Sequence, residues 1–225
     1  MDHRDRHTPL SEDYLRTHTT GELKALSAPI LLVNYDPEWP ARFQRDAENI
    51  RAALGARALR IEHVGSTSVP GLMAKPIIDI LMVVADSAHE MEYVSALEEA
   101  GYKLHIREPG WYEHRMFKGP RNDVNLHVFS ENCPEVVRML AFRDWLRTNE
   151  ADRELYARTK RMLAQKEWKY TQNYADAKTP VIEQIMSRVR SHGDRPHAQN
   201  ALVEAREPQS HQNQPPDGTR PLRRR

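Results

Sequence analysis

A serine-rich turn and a single acid lie near each other in the sequence, and each adjoins an apolar segment. The turn is "GSTS", from Gly65 to Ser68, and the acid is Asp79, within the nearly continuous apolar run of residues 77–84. Glycine lets a backbone approach a phosphate closely, while hydroxyl and N–H groups bind the phosphate oxygens. A carboxylate on a strand can hold Mg²⁺ against the same phosphates. The pattern predicts a phosphate site.

The hydroxyls of this turn have an alternative role. Ser66, Thr67 and Ser68 could instead satisfy backbone groups, as such residues do in ordinary turns. We favour phosphate binding by all three, because Gly65 and Gly71 bracket a polar loop that opens between two buried segments.

Two further polar residues alternate with apolar ones in residues 123–129. Asn125 and His127 share one face of the predicted strand, and valine and leucine take the other. Asp79 can face the same cleft, and an aspartate with imidazole ligands suits a transition metal or Zn²⁺ better than Mg²⁺. For His127, a ligand or base role and a hydrogen-bonded core position are equally open. For His63 we favour the core position.

The basic residues near these segments fall into three groups. Arg143 and Lys178 adjoin apolar positions of predicted helices, where a basic side chain either extends to the surface or reaches a buried anion. Lys75 immediately precedes the acid-bearing segment, and phosphate binding and a solvated loop are equally open for it. Arg115 and Lys118 belong to a predicted hairpin, where we expect both to face solvent.

The elements that position these residues follow from apolar periodicity and turn residues. The patterns predict strands at residues 58–64, 77–84, 102–106, 114–118 and 123–129. They predict helices at residues 37–54, 88–100, 134–147, 151–168 and 170–190. Pro180 can kink the last helix or split it in two. The order predicts an α+β domain with a small mixed sheet and a helical C-terminal cover.

Composition limits the class of protein. The 225 residues are 39% hydrophobic, which is enough for one core, and the formal net charge of +1 does not predict a specific nucleic-acid partner. The single cysteine, Cys133, excludes an intramolecular disulfide framework. Because the sequence shows neither a signal-like segment nor an apolar run of about 18 residues, we expect a soluble cytoplasmic protein without a membrane partner.

Composition also divides the chain into three parts. Residues 1–28 are polar and charged, which predicts a poorly anchored lead-in, and residues 29–190 carry the predicted domain. Residues 191–225 contain hardly an aliphatic side chain and cannot bury enough surface to offset chain entropy. A disordered tail is predicted there.

Several motifs agree, in order, with a known family of bacterial proteins. They are "YDPEWPARF", "IEHVGSTSVPGLMAKPIIDI", "LHVF", "AFRDWLR" and "YADAKTPVIEQI". Over residues 29–190 the chain resembles the GrpB family, which implies the fold of the nucleotidyltransferase superfamily that includes DNA polymerase beta. The resemblance implies that Gly65 and Ser66 form the superfamily's Gly-Ser motif. It also implies that Asp79 is the first carboxylate for a divalent metal, Mg²⁺ or Mn²⁺.

Two positions depart from that pattern. Leu81 occupies the place of the superfamily's second carboxylate, and Asn125 replaces a family histidine, whereas His127 matches. The candidate metal ligands are therefore Asp79, Asn125 and His127. Asp79 and His127 form the candidate catalytic pair, but with one carboxylate fewer the usual two-ion mechanism is less well supported.

Two functions are consistent with these residues. A metal-dependent nucleotidyltransferase would bind a nucleoside triphosphate at the serine turn and transfer a nucleotidyl group, with the metal at Asp79. A binding module would keep the anion pocket, with Arg143 and Lys178, and would lack transfer chemistry. Both hypotheses stay open. Either predicts a nucleotide or another phosphorylated small molecule as the partner.

Overall fold

The computed structural model describes residues 10–193, of which residues 10–189 belong to one compact unit. The strands are β1 (Arg60–Val64), β2 (Ile78–Val84), β3 (Lys103–Glu108), β4 (His114–Lys118) and β5 (Val124–Ser130). They form one sheet in the order β1-β2-β5-β4-β3. β2 and β5 run parallel, and the other three neighbouring pairs are antiparallel.

Helices flank the sheet and follow it in the chain. They are α1 (Glu12–His18), α2 (Trp39–Leu54), α3 (Val94–Glu99), α4 (Pro134–Thr148), α5 (Glu150–Ala164), α6 (Thr171–Asp176) and α7 (Thr179–Gly193). The predicted helix at residues 170–190 is split in two, and Pro180 lies in the first turn of α7, where a proline is tolerated. The predicted α+β class, with a small mixed sheet and a helical C-terminal cover, is confirmed.

Apolar layers cover both faces of the sheet, which explains why β2 is apolar along nearly its whole length. Ile78, Ile80 and Met82 pack with α2 and α3 in one cluster. Leu81 and Val83 point to the opposite face and pack with α4 in a second cluster. A third cluster joins α5 and α7 to the loop that follows the serine turn. The C-terminal helices thereby extend the cover of the second face.

Two predicted helices are shorter than expected, and the one predicted at residues 151–168 ends at Ala164. The pattern predicts a helix at residues 88–100, but α3 begins only at Val94, after a 3₁₀ turn at Glu90–Glu92. The carboxylate of Glu90 accepts hydrogen bonds from Arg107 and Arg115 on the neighbouring strands. These bonds hold the turn against the sheet in place of a further helical turn.

The N-terminal segment contacts the sheet over the residues that the structure describes. The Tyr14 hydroxyl in α1 donates a hydrogen bond to Glu108 Oε1 at 2.9 Å, and the Thr20 backbone N–H donates to the His105 carbonyl at 2.8 Å. Polar composition does not predict such contacts, because single hydrogen bonds leave no periodic pattern. The domain boundaries at residues 28 and 190 stay predictions. The predicted tail lies outside the described residues from residue 194 onward.

No helix in the described range, residues 10–193, has both the length and the apolar composition that a membrane span requires.

Candidate functional site

Asp79 lies near the start of β2, beside the parallel strand β5, and the register pairs it with Asn125. Asn125 Nδ2 donates a hydrogen bond to Asp79 Oδ1 at 2.8 Å. His127 Nε2 lies 3.9 Å from the same oxygen, and the side chains of Asp79 and His127 are 29% and 24% exposed. The prediction that these three polar residues share one face is confirmed. All three remain partly exposed to solvent.

Gly65 lies directly against this carboxylate. Its φ of +67° and ψ of −171° fall in a region that essentially only glycine adopts. A Cβ atom on Gly65 would lie 2.2 Å from Asp79 Oδ2. The Gly-Ser turn and the strand acid therefore form one site, and the close approach explains why this position is a glycine.

The Asp79 carboxyl has a lowered pKa. Burial raises this pKa, but interactions with His127, Asn125 and Lys75 lower it by more. Asp79 is therefore a carboxylate at neutral pH, and it contributes one negative charge to the site.

The three hydroxyls of the serine turn have different partners. Ser66 Oγ accepts a hydrogen bond from Lys160 Nζ at 3.0 Å. Thr67 Oγ1 is bonded to His63 Nε2 at 3.0 Å, and Ser68 Oγ donates to the Gly65 carbonyl at 2.6 Å. Ser66 alone of the three is bonded to a charged side chain. Thr67 and Ser68 make the local bonds of ordinary turn chemistry.

Four lysines surround Asp79, and we call them the lysine cluster. They are Lys75 before β2, Lys118 at the end of β4, Lys160 in α5 and Lys178 before α7. The pKa of each is affected by the charge of Asp79. Within residues 10–193, no member forms an ion pair with an acid. Asp79 thus faces four lysine side chains, and Asp176 adds a second negative charge that acts on Lys178.

The lysine cluster is partly desolvated. Burial lowers the pKa of all four side chains, and repulsion from a second lysine lowers that of Lys75, Lys118 and Lys160 further. Lys160 is only 2% exposed. Burial, together with repulsion from Lys178 and Arg161, lowers its pKa to about 7. An anion in this cleft would relieve the repulsion.

Tyrosine rings, rather than acidic side chains, are close neighbours of three of these lysines. Lys75 Nζ and Lys178 Nζ lie 5.7 and 4.9 Å from the centre of the Tyr174 ring. Lys160 Nζ lies 4.9 Å from the centre of the Tyr156 ring. Cation–π attraction steadies an ammonium group without neutralising its charge. The cluster therefore keeps its net positive charge.

Sequence reasoning missed two members of the cluster. Lys118 is predicted to face solvent, but its ammonium donates a hydrogen bond to Asn125 Oδ1 at 2.6 Å. Lys160 lies among apolar positions of α5, four residues after the buried Tyr156. Lys160, like Lys178, is a lysine within an apolar helical stripe, so the same sequence signal points to it.

Arg115 also differs from its prediction. It is predicted to face solvent, but it is 6% exposed and its Nε donates to Glu90 Oε1 at 2.6 Å. Glu90 belongs to the 3₁₀ turn before α3, whereas Arg115 lies in β4. The pairing therefore depends on a contact between two elements that are distant in the chain.

Arg143 lies in a different group, which we call the arginine cluster and define as Arg143, Arg147, Glu62 and Asp144. Arg143 bonds Glu62 and Asp144, each at 2.8 Å, and also donates to the His63 carbonyl at 3.0 Å. Arg147 donates to the Ser68 carbonyl at 3.0 Å and pairs with Asp144. The cationic groups of this cluster already have anionic partners. The structure does not bring Arg143 together with Lys178.

His63 occupies the core position that the sequence favours. It is 7% exposed, and its ring stacks on Phe43 with 4.8 Å between ring centres. Burial, opposed by Asp79, lowers the pKa of His63 to about 4. His63 is therefore neutral at neutral pH and supports the turn through Thr67.

His127 belongs to a chain of hydrogen bonds that the sequence does not predict. His127 Nδ1 lies 3.1 Å from His114 Nε2, and His114 Nδ1 lies 2.7 Å from Glu108 Oε2. The Tyr14 hydroxyl donates to the other oxygen of Glu108. His114 and Glu108 are each 4% exposed. The chain runs from the open cleft to α1.

A divalent metal fits these residues poorly. Leu81, at the place of the second carboxylate, is fully buried among apolar side chains. The Asn125 oxygen is bonded to Lys118, which leaves one carboxylate and one imidazole amid four ammonium groups. Across residues 10–193, no three His, Cys, Asp or Glu side chains group as a metal site. The ligand set of Asp79, Asn125 and His127 stays a prediction without support from geometry.

No second acid joins Asp79 from the nearest candidates. Glu62 is paired with Arg143 and Arg60. Asp123 precedes β5 and is paired with Arg121 at 2.9 Å. Neither supplies the missing carboxylate.

Comparison with known proteins gives consistent matches over most of the described residues. Residues 29–188 match the family model described as GrpB protein. UPF0157 protein BH1888 of Halalkalibacterium halodurans is 59% identical over 184 residues, which cover 82% of this chain and 94% of that protein. UPF0157 protein SCO7215 of Streptomyces coelicolor is 46% identical over 157 residues, which cover 70% of this chain and 82% of that protein.

A solved structure is also similar. The crystal structure of conserved protein GrpB from Enterococcus faecalis superposes with a TM-score of 0.63 at 33% sequence identity. The match covers 71% of this chain and 96% of that one.

Proposed function

The chain belongs to the GrpB protein family, and from that premise we propose that it binds a nucleotide or another phosphorylated small molecule. The ligand's phosphates lie between the Gly65–Ser66 turn and the lysine cluster. The observation that carries the proposal is four lysine side chains around one carboxylate, with no acid paired to them in the described residues.

Charge balance supports a polyanionic ligand. Desolvated cations that repel one another are unfavourable unless an anion compensates them. Lysine ammonium groups act as point charges that bind phosphate oxygens from several directions, and a glycine turn adds close backbone approach. Asp79 and Asp176 act on the four lysines, and Lys160 is only partly charged near its pKa of about 7, yet the cluster keeps an excess of positive charge. The phosphate groups of a polyanionic ligand would neutralise that excess.

The proposal needs no metal held by the protein. Asp79, Asn125 and His127 fit a divalent ion poorly, so in this proposal the lysine ammonium groups neutralise the phosphate charge. A metal that arrives already bound to phosphates is compatible with this arrangement, because phosphates supply most Mg²⁺ ligands in many nucleotide sites. Binding is therefore expected in the presence of a chelator.

Nucleotidyl transfer is the second candidate function. It is favoured by the exposure of Asp79 and His127, which leaves both side chains able to reach a ligand at the serine turn. It is opposed by the buried Leu81, because a transfer site with one carboxylate holds metal less well. A non-catalytic binding module is the better supported of the two alternatives.

Isothermal titration tests the proposal. The ligands are ATP, CTP, GTP, UTP and inorganic tripolyphosphate, each measured with Mg²⁺ and with EDTA. We expect binding in EDTA and a loss of affinity of about tenfold or more in Lys178→Gln. The matched control is Lys166→Gln, which removes an exposed lysine beyond α5 and should leave affinity unchanged.

Two results would change the conclusion. If no phosphate compound binds under either condition, the proposal is wrong. If binding requires Mg²⁺ and is lost in Asp79→Asn, the metal-dependent transferase becomes the better hypothesis.

A further inference from the structure

The N-terminal segment, residues 10–26, is bonded to the edge of the sheet. The Thr20 backbone N–H donates a hydrogen bond to the His105 carbonyl at 2.8 Å, and Thr20 Oγ1 donates to the Leu104 carbonyl at 2.5 Å. Both acceptors belong to β3, the last strand in the sheet order. The segment therefore covers part of the edge of β3.

The same segment is bonded just before α6 and at the end of α6. The Lys169 carbonyl accepts a hydrogen bond from the Leu26 backbone N–H at 2.9 Å, and the Lys169 ammonium pairs with Glu12. Asp176 Oδ2, at the last residue of the helix, accepts from the Leu10 backbone N–H at 3.0 Å. The segment thus joins α6 to the β3 edge of the sheet.

The position of α6 matters for the lysine cluster. The helix has six residues, which is too short for a helix to be stable by itself. Its Tyr174 ring lies beside the ammonium groups of Lys75 and Lys178, but the Tyr174 hydroxyl is buried and has no hydrogen-bond partner within residues 10–193. Lys178 follows two residues after the helix ends. Contacts that fix α6 therefore also fix Lys178 and the ring beside it.

The attachment at β3 lies near the sheet side of the same cluster. Lys118 is in register with Lys103 of β3, and its ammonium is bonded to Asn125. Burial, and then repulsion from Lys118, lowers the pKa of His105, whose carbonyl accepts the bond from the segment. The segment therefore runs between the sheet side of the cluster, at Lys118, and the helix side, at Lys178.

We propose that the N-terminal segment is coupled to phosphate binding, because it holds the sheet side and the helix side of the lysine cluster at the spacing that bound phosphates require. The inference rests on the proposed function. It adds a positioning element outside the matched family region, since residues 10–26 precede residues 29–188. A phosphate chain that binds Lys118 and Lys178 together also connects the two sides. Because coupling is reciprocal, phosphate stabilises the docked segment by the factor by which the segment strengthens phosphate binding.

Two proline substitutions release the segment, one at each side of the cluster. Thr20→Pro removes the N–H and the hydroxyl that bond β3, and Leu10→Pro removes the N–H that bonds Asp176. The matched controls are Thr20→Ser, which keeps both donors, and Leu10→Ala, which keeps the N–H. Neither position belongs to the lysine cluster or to a core cluster of the described residues.

Titration of the full-length protein with inorganic tripolyphosphate in EDTA measures the effect. Each proline variant should bind about fivefold more weakly than the wild type, and each control should stay within about twofold. The double proline variant should lose little more than either single variant, since each bond contributes only while the other side is attached. Losses that multiply to about 25-fold would indicate two independent local effects and would overturn the inference.

Hydrogen exchange tests the reciprocal effect without any substitution. Saturating tripolyphosphate should slow the exchange of backbone amides in residues 10–26 by about fivefold. The reference is α2, which packs on the opposite face of the sheet and should not change.

The failure of this inference and that of the proposed function are distinguishable. If the wild type binds tripolyphosphate but exchange in residues 10–26 is unchanged, or if the proline variants bind as the wild type does, the inference alone is overturned. If the wild type binds neither tripolyphosphate nor ATP, the proposed function is wrong, and the inference with it.

Discussion

Two basic regions contact the serine turn, and they differ in whether acids accompany the cations. The arginine cluster reaches the turn at the Ser68 carbonyl, and Glu62 and Asp144 neutralise it. The lysine cluster reaches the turn at Ser66, and its four lysines form no ion pair with an acid in the described residues, although the charges of Asp79 and Asp176 act on them. The charges of one region are neutralised within the fold, and the other region keeps an excess of positive charge.

The difference teaches that an excess of charge, and not the presence of a basic residue, indicates an anion site. Arginine suits the first role because its planar guanidinium bonds a carboxylate and a backbone carbonyl at once. Lysine suits the second role because its ammonium is a compact charge whose pKa responds to burial. In the sequence, Arg143 and Lys178 look alike, since each is a basic residue beside apolar helical positions. In the structure, Arg143 is paired with acids, whereas Lys178 forms no ion pair within the described residues.

The largest expected effect concerns the glycine that separates the two regions. In Gly65→Ala the new Cβ would meet Asp79, and the backbone would hold a conformation that alanine resists. We expect a loss of about 3 kcal/mol in the free energy of unfolding, or displacement of Asp79 with loss of phosphate binding. Urea denaturation and titration with tripolyphosphate measure the two effects.

Gly71→Ala is the matched control for this substitution. Gly71 also has a positive φ, of +78°, but nothing lies within 4 Å of its added Cβ. Its cost should be limited to backbone strain, about 1 kcal/mol. Equal costs at the two glycines would show that contact with Asp79 is unimportant.

A smaller effect distinguishes the arginine cluster from the lysine cluster directly. Arg143→Gln removes bonds to Glu62, Asp144 and the His63 carbonyl from a side chain that is 10% exposed. We expect a loss of about 1–2 kcal/mol in the free energy of unfolding and less than a twofold change in phosphate affinity. Thermal denaturation and titration provide the two measurements.

Arg60→Gln serves as the control, since Arg60 also pairs with Glu62 but is 51% exposed. Its effect on stability should be below about 0.5 kcal/mol. Loss of phosphate affinity in Arg143→Gln comparable to that in Lys178→Gln would abolish the distinction between the two clusters.

The smallest effect is a pH dependence within the lysine cluster. The pKa of Lys160 is lowered to about 7, so its charge is lost as pH rises through neutrality. Phosphate affinity should therefore fall between pH 6 and pH 8, by about threefold to tenfold. In Lys160→Met this part of the pH dependence should be absent. Subtracting the variant's affinity profile from that of the wild type removes the contribution of ligand protonation, which is the same in both.

Whereas phosphate affinity should fall as pH rises, the free energy of unfolding should rise with pH over a higher range. Between the lowered pKa near 7 and the ordinary value of 10.5, the unfolded chain binds a proton at Lys160 that the folded protein does not. The free energy of unfolding therefore gains a positive slope with pH in this range. Denaturation of the wild type and Lys160→Met between pH 7 and pH 10 checks the sign; identical slopes would show that Lys160 stays charged.

Apolar periodicity determined most of the fold in advance. The alternation in β5 places Asn125 and His127 on one face, and the continuous apolar run of β2 indicates a strand covered on both sides. Helix ends were less predictable. The start of α3 depends on Glu90, whose arginine partners lie on β3 and β4 and leave no mark in the local pattern.

The sequence by itself determined the residues that can do chemistry at this site: a glycine and a serine before a strand, one acid within it, and a histidine on a later strand. Local spacing is enough for this, because a strand's period of two and a turn's need for glycine act over a few residues. The lysine cluster and the chain from His127 to Glu108 were decided only by the tertiary structure. Whether a charge is paired depends on which distant side chains the packed helices and strands bring within a few ångströms.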